Sequence, residues 1–303
     1  MTMRTPEEIA AKMNALSLWE VLGRGNFAIR PRGTAFPYFV TVLKGDDKPV
    51  KTRLLLLEGW QTLHDFVRTR MDANFGFYST PAEMPHFELD VCADGKFLVF
   101  RHDACFVPHV ADETDRAFVA RLLWEVYGIM LRLEGDSRLP FRYADDRALF
   151  SRVEKADGTW EDAPLVISDP PPYKESVSFS KEDIKKAKDL PFVREDVVEI
   201  DFRLRTDVLT REKRPRSVYG LKVVDPKTGE TVADCTVSPN PEAGLKALWE
   251  TVPPQVLKIL IRRGKVPGEV RLKSGRLFRL LKSLCIELPF KISLHDKLSQ
   301  YMV

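Results

Sequence analysis

At 303 residues, with 44% hydrophobic and 30% charged side chains, the chain is long for a single domain and too apolar to be disordered. The net charge is only +3, but basic residues outnumber acidic ones from Leu190 onward, which leaves the amino-terminal part acidic. Residues 1–13 mix Arg4, Glu7, Glu8 and Lys12 with no apolar run, and the most apolar long stretch, 118–133, is broken by Arg121, Glu125 and Arg132, so neither a signal peptide nor a membrane span is expected.

In chain order, an amphipathic helix is predicted at 6–18 and strands at 27–30 and 38–43. A turn at 44–49 (Lys44, Gly45, Asp46, Asp47, Lys48, Pro49) closes a hairpin with a strand at 50–57. After Glu58-Gly59 the apolar spacing of Trp60, Leu63, Phe66 and Val67 becomes helical, to about Met71. Phe87, Leu89 and Val91 alternate with His86, Glu88 and Asp90, and Ala93-Asp94-Gly95 turns the chain into a second strand at 97–101. Asp112 precedes a long helix with Phe118, Leu122, Val126, Ile129 and Leu133 on one stripe. Strands at 150–154 and 160–167 flank Asp157-Gly158.

Pro170, Pro171 and Pro172 forbid regular hydrogen bonding and mark a boundary. The expected division is an amino-terminal domain at 1–168, a Pro-rich linker with an exposed, Ser180-capped helix at 169–190, and a carboxy-terminal domain at 191–303. In the latter, strands are predicted at 197–205, 218–224 and 231–237, a helix at 242–251 capped by Asn240, and a second at 255–263 after Pro253 and Pro254. A turn at Val266-Pro267-Gly268 leads to a strand at 269–273, a helix at 276–284 and a strand at 286–294.

Residues 38–63 and 219–248 share an order of features: a strand starting at Tyr, a turn with Gly, a second strand, then a helix bearing Trp60 or Trp249. The expected fold is α+β, in two related halves, each an antiparallel hairpin-rich sheet against amphipathic helices.

The run Gly264-Lys265-Val266-Pro267-Gly268-Glu269-Val270-Arg271-Leu272, continuing through Leu277, Leu280, Leu284, Ile286 and Ile292, resembles an uncharacterised bacterial domain family of unknown function. The hairpin ending in Glu58-Gly59-Trp60 is similar to the uncharacterised domain that often precedes it. The resemblance covers most of the chain and implies architecture only, since that family brings no known activity, cofactor or catalytic residue.

Fixed catalytic motifs are missing: there is no P-loop, no GxSxG elbow and no HExxH helix. Gly23-Arg24-Gly25 lacks the third glycine of a phosphate loop, and Arg101-His102-Asp103 is not an ordered kinase loop. Cys92, Cys105, Cys235 and Cys285 are scattered with no CxxC pair, which fits reduced thiols in the cytoplasm. Trp60, Trp124 and Trp249 read as core; Trp19, Trp160 and the segment ending at Tyr173 read as surface.

Three readings of function follow. The first is a non-enzymatic interaction module with a protein partner and no cofactor, suggested by ample structural signal without convergent chemistry. The second is a nucleic-acid-binding accessory role for Arg262, Arg263, Lys265, Arg271, Lys273, Arg276, Arg279 and Lys282, if these converge as an anion site, although Phe278 is the one aromatic among them. The third is a metal-dependent hydrolase. His86, Glu88 and Asp90 share a strand face, with His102, Asp103 and His109 following the hairpin, but His86 and Asp90 stand about 13 Å apart on a straight strand, so a common ion requires either a bulge or bend that shortens that span or Glu88 joining His102 or His109 from the neighbouring strand region. The bland reading of that face is a solvated one with Phe87, Leu89 and Val91 packed inward.

Overall fold

The computed structural model describes residues 5–15, 26–44, 50–71, 84–92, 94, 96–169, 176–205, 207 and 210–299. Trp19, Gly23-Arg24-Gly25, most of the 44–49 turn, and Pro170, Pro171, Pro172 and Tyr173 lie outside the described residues. The protein is α+β and divides into two compact units, one of Met1–Phe66, Met84–Asp103 and Pro108–Pro171, the other of Val67–Glu83, Ala104–Val107 and Pro172–Val303. No helix among the described residues is long and apolar enough to cross a membrane.

The first unit contains α1 (Pro6–Ala15), β1 (Phe27–Arg30), β2 (Tyr38–Lys44), β3 (Val50–Glu58), the start of α2 (Gly59–Met71), β4 (His86–Cys92), β5 (Phe97–His102), β6 (His109–Val110), α3 (Glu113–Gly135), β7 (Ala148–Glu154) and β8 (Trp160–Val166). The strands form one eight-stranded sheet in the order β6-β5-β4-β3-β2-β1-β7-β8. All neighbours are antiparallel except β1 and β7, which run parallel. Strand alternation sends Tyr38, Val40, Val42, Leu54, Leu56, Phe87, Leu89 and Val91 to one face, where they form a core with Ile9 and Met13 of α1 and Val119, Leu122, Val126, Ile129 and Met130 of α3.

Helix α3 starts where the sequence places it: the Asp112 carboxylate accepts a hydrogen bond from the Asp115 backbone N–H at 2.9 Å, and Glu113 and Asp115 put negative charge on the first turn. Asp112→Ala is expected to lower unfolding stability by about 1 kcal/mol, read by urea denaturation, and an unchanged midpoint would mean that the cap contributes nothing.

The opposite face of this sheet is buried as well. A single register line crosses six strands, Ser151-Ala28-Phe39-Leu57-His86-His102, and every residue on it is buried, with exposures of 0%, 0%, 0%, 1%, 1% and 8%. Trp60, in the first turn of α2, lies against Phe39 with ring centroids 4.6 Å apart, and Leu63 and Phe66 of the same helix are buried.

The second unit contains α4 (Lys181–Lys188), β9 (Phe192–Arg205), β10 (Val218–Val224), β11 (Thr231–Val237), α5 (Gly244–Glu250), α6 (Val252–Arg263), β12 (Val266–Leu272), α7 (Gly275–Glu287) and β13 (Lys291–Leu294). Its five-stranded sheet runs β11-β10-β9-β12-β13, with β12 parallel to both neighbours. One face packs Val198, Ile200, Leu221, Val223, Val270 and Leu272 against Val256, Leu260, Leu277, Leu281 and Leu284. Helix α4 begins at Ser180, whose hydroxyl accepts from the Asp183 N–H, and turns Ile184 and Ala187 into this core.

Several boundaries differ from expectation for local reasons. Asn240 caps a turn, its side chain accepting from Glu242 N–H and its carbonyl from Gly244 N–H; Gly244 then takes φ +75°, and α5 starts there instead of at residue 242. Pro253 and Pro254 occupy the first turn of α6, where their missing N–H groups cost nothing. The expected strand at 286–294 is helical in its first part: the leucine stripe continues through Leu288, and Ile286 is 84% exposed on the far side of α7. Leu288 is extended because Pro289 follows it, and the strand proper is only Lys291–Leu294.

Candidate metal centre

Strands β4 and β5 pair so that His86 lies directly opposite His102. Their imidazoles stack with centroids 4.1 Å apart and 20° between planes. Glu88, two residues along β4, lies on the same face and is drawn into the gap beside them. Its Oε2 is 3.3 Å from His102 Nε2 and 3.9 Å from His86 Nε2. One ligand atom from each of the three residues lies within 4.8 Å of the others.

The solvated-face expectation for β4 is therefore overturned. His86 sits on the buried register line that includes Phe39 and Leu57, and a row of large apolar neighbours excludes water from a histidine as readily as from a leucine. Asp90 is also buried, yet it does not join the cluster. Arg53 on β3 takes it in a two-pronged ion pair, Nε to Oδ1 at 2.7 Å and Nη2 to Oδ2 at 3.2 Å. Arg53 Nε also approaches Glu88 Oε1 at 3.0 Å, so one Glu88 oxygen is held by the guanidinium while the other faces the imidazoles.

The tautomer of His86 follows from its surroundings. Its Nδ1 lies 2.7 Å from the Met84 carbonyl oxygen, an acceptor only, so Nδ1 carries the proton and donates. That leaves a lone pair on Nε2, which is buried with no hydrogen-bond partner among the described residues, as is His102 Nδ1. An imidazole oriented by a backbone carbonyl behind it, with its other nitrogen bare, is the arrangement that metal-ligating histidines adopt. Glu88 is well suited to the third position. Burial alone raises its pKa, but the contact from His102 Nε2 and the charge of Arg53 outweigh that and hold it well below the ordinary carboxylate range, so it is an anion.

Neither His109 nor Asp103 belongs to this site. His109, exposed on β6, pairs in register with Arg101, which projects to the other face of the sheet. There Arg101 forms ion pairs with Glu58 and, at 2.9 Å, Asp103, and lies 4.4 Å from the centre of the Phe87 ring. Burial, and then the charge of Glu58, push the Tyr38 phenol in this neighbourhood up to about 12. This second polar group was not anticipated; Glu58 opposite Tyr38 in the β2–β3 hairpin was its one visible trace.

The carboxy-terminal basic residues are dispersed among separate tasks. Arg263 and Lys265 are both paired with Asp196, the former also with Asp225 at 3.2 Å. Arg276 is 3% exposed and stacks 4.2 Å from the Trp249 ring centre. Arg262, Lys273 and Lys282 are exposed, and Arg279 is half-buried on α7. Arg271, on β12, lines a cavity with Glu269 and Lys291. Cys92, Cys235 and Cys285 are free thiols, and burial pushes Cys285 up to about 11, away from reactivity at neutral pH. No family model, no curated protein and no solved structure matches the chain.

Proposed function

We propose that the first unit binds a divalent transition metal, zinc by preference, through His86 Nε2, His102 Nε2 and Glu88 Oε2, and that the bound ion activates water for hydrolysis. The observation that carries this reading is the bare, buried Nε2 of His86 with its Nδ1 committed to the Met84 carbonyl. Distances support it. Two donors each about 2.1 Å from one ion at the tetrahedral angle lie about 3.4 Å apart, and the separations of 3.3 Å and 3.9 Å from Glu88 Oε2 approach that, while the stacked imidazoles must tilt apart for both Nε2 lone pairs to meet the ion. Two nitrogens and one carboxylate oxygen suit a borderline-soft ion, and three protein ligands leave a fourth position for water, as catalytic zinc sites do and closed structural ones do not. The interaction-module expectation names no residue, and the metal reading is preferred because it does.

Titration of the chelator-stripped chain with zinc against a chromophoric competitor is expected to give one site, weakened at least about 100-fold in His102→Ala and in Glu88→Gln. Stoichiometry below half, or wild-type affinity in both variants, would remove the proposal. For the hydrolytic part, the zinc-loaded protein should cleave activated carboxyl or phosphate esters, and Glu88→Gln should abolish this together with binding. A site that binds zinc without such activity would reduce the reading to a structural or storage role.

A further inference from the structure

The outer face of the second unit, away from its helices, holds a cavity of about 740 Å³ whose shape comes from an irregularity in the sheet. Strands β9 and β12 pair from Val266 opposite Phe192 to Pro267 opposite Val193, then resume with Glu269 opposite Val197, so residues 194–196 bulge out of register. Gly268 permits the bulge: a Cβ there would stand 1.9 Å from the Arg194 carbonyl oxygen. The bulge is anchored from within by Asp196, paired with Arg263 and Lys265, and it turns Arg194 and Glu195 to the cavity.

Four cations line this space, Arg194, Lys227, Arg271 and Lys291, against the two carboxylates of Glu195 and Glu269. Glu269 is already engaged. Its Oε1 accepts from the Ser293 hydroxyl at 2.6 Å, that contact and the neighbouring Arg271 and Lys291 hold its pKa down, and it serves to position those two cations. Arg271 reaches Glu269 at 3.5 Å through Nη2, while its buried Nε has no hydrogen-bond partner among the described residues. Lys291 is 3.8 Å from the same carboxylate with its side chain largely exposed. Lys227 Nζ donates to the Glu195 backbone carbonyl at 2.7 Å, which fixes the ammonium at the wall without neutralising it. Phe192, 45% exposed, adds an aromatic surface to the lining.

Four cations against two carboxylates leave an excess of positive charge on one concave space, and with the buried Arg271 Nε–H among them they call for a ligand rich in acceptor oxygens. We infer that this cavity binds a phosphate-bearing small molecule of mononucleotide size, its phosphates between Arg194, Arg271 and Lys291 and its ring against Phe192. The volume is that of a small-ligand site, and the four cations all line that one cavity. This inference is independent of the metal centre.

Calorimetric titration of the full chain with ADP and with pyrophosphate, in chelator and at low salt, tests it. Both probes are expected to bind in a one-to-one ratio, ADP the more tightly, and an Arg194→Gln/Lys291→Gln double variant should lose at least about tenfold in affinity for each, with an unchanged thermal midpoint showing that the fold is intact. Arg271→Gln, expected to weaken both probes similarly, provides a second variant should the first be unstable. Absence of binding at millimolar ADP and pyrophosphate, or wild-type affinity in the variants, would overturn the assignment. So would a single-stranded oligonucleotide that binds more tightly than ADP and loses affinity steeply with salt, since that is the behaviour of a backbone-tracking surface.

Discussion

Gly268→Ala is expected to destabilise the protein by at least about 3 kcal/mol, the largest single effect among the substitutions considered. The reason is backbone, not side chain. The new methyl group would lie 1.9 Å from the Arg194 carbonyl oxygen and 2.7 Å from its carbonyl carbon, and neither can rotate away as a flexible side chain would. Relief requires β9 and β12 to separate at the bulge between Pro267 and Glu269, next to the paired residues on either side. Chemical denaturation of wild type and variant side by side measures it; a loss below about 1 kcal/mol would show that the bulge at 194–196 shifts freely, and the cavity it shapes could then not be preorganised. Gly264→Ala is a useful companion: Gly264 has φ +76° but open space around its missing Cβ, so only the smaller cost of a left-handed conformation applies, about 1 kcal/mol.

The second large effect concerns Asp196. Its carboxylate is 8% exposed and is shared by Arg263, itself 9% exposed, and Lys265. Asp196→Ala leaves a buried guanidinium with Asp225 as its remaining counter-ion among the described residues, and breaking such a pair from one side is expected to cost about 3 kcal/mol. Burial raises the pKa of Asp196, but hydrogen bonds from Lys265 and Arg263 and their charges outweigh it and leave the pKa lowered. A carboxyl with a depressed folded-state pKa contributes stability that is present above the unfolded value of about 3.9 and is lost as pH falls through the folded value. Wild type should therefore lose stability more steeply than Asp196→Asn on acidification below about pH 4, so that the two curves converge at the acid end. Parallel curves throughout would show that the Asp196 carboxylate is not the group that the two cations hold.

Both predictions depend on residues whose importance is invisible in the linear order. Val266-Pro267-Gly268 reads as a turn because Pro and Gly are turn residues, yet all three lie within β12, and Gly268 is required by a chain segment some seventy residues earlier. Asp196 looks like one more charge in Arg194-Glu195-Asp196, and Arg263 like one member of a basic run. Only the parallel pairing of β12 with β9 brings them together. Parallel neighbours come from crossovers, and nothing local in either strand signals the partner.

The candidate metal centre shows the same division at closer range. The alternation of His86, Glu88 and Asp90 with Phe87, Leu89 and Val91 determined by itself that β4 is a strand and that the three polar residues share a face, because strand side chains have a period of two. The Asp94 turn likewise implied a hairpin, so that His102 belonged to the adjacent strand, and the reach of an extended chain already excluded a common ion for His86 and Asp90. The α+β class and the capped starts of α3 and α4 were legible for a similar reason: each depends on contacts within a few residues. What the polar face of β4 meets was decided only by tertiary structure. Burial is a property of what is stacked above a strand, and here the register line from Ser151 through Phe39 and Leu57 places His86 and His102 in a buried layer. Arg53 then withdraws Asp90 as its counter-ion and leaves Glu88 to the histidines, a partition made by cross-strand neighbours that only the sheet order β5-β4-β3 brings together.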